Sequence, residues 1–84
     1  MSPLWYQGQP TSVAHAGAQP IAFRWQSREH AVVRISRHWR VHLDWWTLDE
    51  LWRDYWELAT DSGLLCILYH DLLSDAWYLE RVYD

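Results

Sequence analysis

The sequence predicts an all-β domain: an antiparallel meander of five or six curved strands, partly closed as a small barrel. Three observations predict it. Apolar and polar residues alternate with period two from Ile21 to Trp25 and over much of His30 to His42. Val32, Val33, Ile35 and Val41 are β-branched, which crowds a helix and suits a pleated strand. Turn chemistry separates the apolar runs, at Gly17 and at Asp61-Ser62-Gly63, where glycine tolerates the left-handed backbone of a tight turn. With 84 residues, 50% of them apolar, the chain holds one small core and not two. Residues 1–9 read as an N-terminal tail and residues 10–84 as a single small β domain.

Each element follows in order. Pro10 to His15 is a short extended piece, and Ala16 to Gln19 a turn. Pro20 is tolerable as the first residue of a strand, where its missing N–H does least harm. Ile21, Phe23 and Trp25 then share one face of a strand, and Ser27 to Glu29 closes a tight connection. In the long run that follows, Ala31, Val33, Ile35, Trp39 and Val41 fall on one face, with Arg37 the exception. His30, Arg34, Ser36, His38, Arg40 and His42 fall on the other, giving a half-buried strand with a basic side. Thr47 and Glu50 have the spacing of a capping box, and Leu48, Leu51, Trp52, Tyr55, Leu58 and Ala59 recur at near-helical spacing. Periodicity alone leaves open whether residues 47–59 begin as helix or strand, and it allows one short helical turn near residues 47–52. A hairpin turn at Asp61 to Gly63 needs a strand on each side, so Arg53 to Thr60 is read as a strand paired with Leu64 to His70. In that strand Trp52, Trp56 and Leu58 share a face, opposite Arg53, Tyr55 and Glu57. Trp77 to Tyr83 makes the last strand. Phe23, Val33, Ile35, Leu58, Ile67, Leu68 and Leu79 are the expected core.

Charge and composition exclude several classes of function. The net charge of −4 divides unevenly, with five Arg and one acid in residues 1–43 and ten acids and two Arg in residues 44–84. Such a split suits two halves attracting each other within one fold, or a basic face for an acidic partner. The longest apolar run, Leu64 to Tyr69, is far short of the roughly 20 residues that span a bilayer. No signal peptide is evident, so a soluble cytoplasmic domain is expected. The single cysteine, Cys66, excludes a disulfide framework and any multi-cysteine zinc site.

Phe23-Arg24-Trp25, Trp39-Arg40, Trp45-Trp46, Arg53-x-Tyr55, Leu68-Tyr69-x-Asp71 and Trp77-Tyr78-Leu79-x-Arg81-Val82-Tyr83 together form a recognisable pattern. With Gly8-x-Pro10-x-x-Val13 before it, the pattern resembles an uncharacterised family of short bacterial proteins. That family is related to carboxyl-terminal segments of ImuB-like Y-family polymerase homologues. The resemblance implies an accessory to DNA repair or damage-induced mutagenesis, and it brings no catalytic motif.

His38 and His42, four residues apart in a strand, would be roughly 13 Å apart at about 3.3 Å per residue, too far to share an ion. Cys66 sits in an apolar strand, the setting of an inert thiol. The glycines at positions 8, 17 and 63 are too scattered for a phosphate loop. No enzyme activity, cofactor or metal site is expected.

Eight Trp and five Tyr exceed what so small a core can bury. Surplus Trp and Tyr beside Arg suit an interface, since they bring large apolar area with a polar tip. The expected interaction surface is Trp39, Trp45, Trp46, Arg34 and Arg40. The expected partner is another protein or a second copy of the chain. The alternative is a single-stranded nucleic acid stacked on those rings.

Overall fold

A computed structural model describes residues 8–44 and 46–83. Seven strands run in the order β1 Gln9–Pro10, β2 Val13–Ala16, β3 Gln19–Trp25, β4 Arg28–Leu43, β5 Leu51–Thr60, β6 Leu65–Asp71 and β7 Ala76–Tyr83. All neighbours are antiparallel, in the spatial order β1-β7-β6-β5-β4-β3-β2. The count exceeds six because the first extended piece is broken at Thr11 and Ser12. Its first half pairs with β7 (Gln9 opposite Leu79) and its second with β3 (Val13 opposite Phe23). Two backbone bonds span the break: Thr11 N–H to Trp77 O and Arg24 N–H to Ser12 O, both 3.1 Å. One stretch of chain therefore holds both margins of the sheet together, and the sheet curls into a partly closed barrel.

The inner face carries the main core: Phe23, Trp56, Leu58, Cys66, Leu68, Trp77 and Leu79, with Trp25, Val32, Ile35 and Val82 packed against it. Burial pushes the Cys66 thiol up to about 12, so it stays protonated and unreactive at neutral pH. A second cluster lies on the outer face, formed by Tyr55, Ile67 and Tyr69 with Trp39, Val41 and Tyr78. Directly paired residues of neighbouring strands lie on the same face of a sheet. Trp39, Tyr55, Tyr69 and Tyr78 are paired in succession, so they form a row of rings across four strands. Successive centroids are 5.2, 5.2 and 5.0 Å apart.

Three sequence expectations need correction. β4 does not keep one face throughout, because bulges fall between Val32 and Arg34 and between Ile35 and Arg37. Each extra residue reverses the alternation. His30 and Val32 point inward, Arg34 outward, Ile35 inward, Arg37, Trp39 and Val41 outward, and His38 and Arg40 inward. Val33, expected in the core, is the bulged residue and is 63% exposed. No helical turn forms among the described residues near 47–52. The Thr47 hydroxyl accepts the Asp49 N–H (3.1 Å), as a cap does, but the Glu50 carboxylate reaches His42 Nε2 at 2.6 Å instead of closing the box. β5 then begins at Leu51. The β3–β4 connection is Gln26-Ser27, both with positive φ (52° and 63°), the backbone of a two-residue hairpin turn without the usual Asn-Gly.

Candidate interaction surface

The β4–β5 hairpin carries the candidate residues. On its outer face, Arg34, Arg37, Trp39, Val41 and Leu43 run in a line along β4. Trp39 is half-buried, stacked on Tyr55 with planes 5° apart, and the Arg37 guanidinium lies 4.6 Å from its ring centroid. That arrangement holds the ring rigid and places a cation on it. Arg34 is exposed opposite Ala59. Neither Arg34 nor Arg37 forms an ion pair among the described residues. At the hairpin tip, Leu43 is 39%, Trp46 68% and Leu48 105% exposed. Trp45 lies outside the described residues.

Arg40 is set apart from this line. It points inward, where Nε and Nη2 donate to the two Asp54 carboxylate oxygens at 3.2 and 3.3 Å. His38 Nε2 lies 2.9 Å from Asp54 Oδ1. Asp54 is buried, and burial by itself raises its pKa. Hydrogen bonds and charge from Arg40 and His38 outweigh that, and the carboxyl stays below its ordinary value. This pair joins the basic early half of the chain to the acidic later half, so Arg40 serves the fold.

The depressed carboxyl makes a prediction. A group whose folded value lies below its unfolded value of about 3.9 stabilises the fold above that pH and loses the contribution as pH falls through the folded value. The melting temperature of the wild type should therefore fall more steeply on acidification below about pH 4 than that of Asp54→Asn. Parallel acid profiles from circular-dichroism melts would remove Asp54 as the cause.

Three histidines share a pattern that only the strand register reveals. His38, His42 and His70 are each paired across strands with a tryptophan: Trp56, Trp52 and Trp77. Their rings stack at 3.6, 4.7 and 4.4 Å, and each imidazole also meets a carboxylate, of Asp54, Glu50 and Asp75. The stacks extend the inner face past the main core with amphipathic pairs. No group of His, Cys, Asp and Glu among the described residues is arranged to hold a metal ion. No helix among them is long and apolar enough to cross a membrane.

Compared with family models, curated proteins and solved structures, the chain matches none. The functional reading therefore rests on the residues of this hairpin.

Proposed function

We propose that the chain is a non-catalytic interaction module that binds another protein through the β4–β5 hairpin. The observation that carries this reading is the tip, where Leu43, Trp46 and Leu48 expose apolar side chains at one turn. Exposed apolar groups clustered beside a rigid Trp and Arg have the composition of an interface centre. The row of tyrosines does not offer a platform for bases, since Tyr55 and Tyr69 are 2% and 0% exposed. That favours protein over single-stranded nucleic acid. The resemblance to segments of ImuB-like homologues makes components of damage-induced mutagenesis the first partners to test.

The test is the double variant Trp46→Ser/Leu48→Ser. Surface substitutions change stability by about 0.5 kcal/mol or less each, whereas a large aromatic in an interface centre contributes about 2 kcal/mol or more to binding. The variant should keep the wild-type melting temperature to within a few degrees. It should lose the crosslinked product formed in cells by a photoreactive residue placed at Asp49. Sedimentation at two concentrations identifies whether that product is a second copy of the chain. Unfolding of the variant would place Trp46 in the fold and remove the tip from the reading. Salt-sensitive binding of a single-stranded oligonucleotide, lost in the same variant, would replace the protein partner with nucleic acid.

A further inference from the structure

β4 is paired on two sides by different parts of its length. Arg28 to Ala31 pair with β3, and Val32 to Leu43 pair with β5. Among the described residues, no strand lies along the other margin of β4 from Val32 onward. β3 leaves it at Ala22 and continues alongside β2. Such a margin presents alternate backbone N–H and C=O groups to whatever approaches. Its first part is broken by the two bulges, but Arg37 to Leu43 is regular and matches β5 residue for residue. Where β3 departs, a wedge of about 220 Å³ opens, lined by Pro20, Ile21, Val32, Val33, Ile35 and Trp56, with the polar Gln19 and Arg34 also in its wall. Ile21 and Val33 are 46% and 63% exposed at its mouth.

We infer that this margin of β4 accepts an added strand, an acidic extended segment of a partner protein with an apolar side chain seated in the wedge. The inference deepens the proposed protein-binding role and rests on it. Charge selects the occupant. Val32 to Leu43 holds Arg34, Arg37 and Arg40 and no acid. Arg40 is engaged with Asp54, which leaves Arg34 and Arg37 to meet carboxylates. A second copy is the poorer occupant. Antiparallel pairing of two β4 strands would bring together two copies of the Val32 to Leu43 stretch, each with three Arg and no acid. Like charges placed directly opposite destabilise a strand pair. Main-chain bonds along Arg37 to Leu43 would supply affinity, with the wedge and the arginines supplying selectivity.

The test uses two capped ten-residue peptides, each ending in Leu, one alternating Glu with Val and the other Lys with Val. They are titrated into the isotope-labelled full chain while backbone amide signals are followed. The expected result is that the Glu peptide shifts and protects amides from Arg37 to Leu43, and that the Lys peptide does not. Arg34→Glu/Arg37→Glu should weaken the Glu peptide at least tenfold and admit the Lys peptide. Three results would each overturn the inference: no β4 amide responding to either peptide, equal binding of both by the wild type, or concentration-dependent protection of β4 with dimers in sedimentation. The tip residues Trp46 and Leu48 are untouched in this variant. Loss of crosslinking only in the Ser double variant, with no peptide binding, would keep the module reading and discard the added strand.

Discussion

Leu68→Ala is expected to cost about 2–5 kcal/mol, the range for a fully buried leucine that leaves a cavity behind. Leu68 is 0% exposed on the inner face, paired with Trp56 on one side and Leu79 on the other. Both neighbours are anchored by strand pairing, so neither can move far to fill the space. A domain of this size has a total stability of roughly 4–13 kcal/mol, so the substitution removes a large part of it. Each kcal/mol lowers the melting temperature by about 4–8 °C in a domain of 60–100 residues. Urea titration should show the lowered midpoint with an unchanged slope. Ile67→Ala, in the outer cluster, should fall at the low end of the same range. Val33→Ala, exposed at its bulge, should stay within about 0.5 kcal/mol. A loss at Val33 as large as at Leu68 would mean that the bulges are absent and the alternation continues unbroken through β4.

Gly8→Ala should be the most disruptive change available in a glycine of this chain. A Cβ at Gly8 would stand 2.5 Å from Leu79 O and 2.9 Å from Leu79 C. Both atoms belong to the backbone of β7, which its pairing with β6 holds in place. The Gly8 segment must therefore lift away, and with it goes the bond from Gly8 N–H to Tyr69 Oη at 2.9 Å. Overpacking of about 1–3 kcal/mol adds to about 1 kcal/mol for the lost bond. Hydrogen exchange should quicken at Leu79 and Thr11 before the rest of the sheet. Gly17→Ala is the comparison. Gly17 has φ of 60° with open space around it, so an alanine there meets only the left-handed backbone penalty of about 1–2 kcal/mol. Equal losses at the two glycines would show that close approach to Leu79 is not what position 8 requires.

Much of this architecture is legible in the residues because local rules agree with the final pairing. Asp61-Ser62-Gly63 closes the β5–β6 connection, with Gly63 at φ 88° and its N–H on Thr60 O. The alternation in β5 places Trp52, Trp56 and Leu58 together, as the pairing does. β4 is where local reading fails. A bulge is a property of two strands, and a period-two pattern read along one of them carries no sign of the residue that its partner leaves unmatched. Two bulges three residues apart reverse the faces twice, so Arg34 and Arg40, expected on one face, point opposite ways. The helix-like signal near Thr47 corresponds to a real local bond, but Glu50 turns across the hairpin to His42 instead of closing the box. The stacked His–Trp pairs were hidden for the same reason as the bulges: His38 meets Trp56 only once the hairpin register is fixed. Of the surface residues, the exposed tip was legible through Trp46. Leu48 was missed because its spacing with Leu51 and Tyr55 imitates a helix face.

The closing stretch at Gln9 to Ala16 also orders events during synthesis. Every other pairing joins strands adjacent along the chain, so each hairpin can zip as soon as its second strand leaves the ribosome. The seam between β1 and β7 joins Gln9 to Leu79 and must wait for nearly the whole chain. At about 5–20 residues per second, the interval between making Leu58 and making Leu79 is roughly 1–4 s. During it Trp56 and Leu58, joined later by Cys66, line a sheet whose interior is still open to water and to neighbouring chains. Chaperone capture or misassembly of this protein should therefore concentrate in that interval, and slowing translation before β7 should lengthen the exposure without altering the folded state.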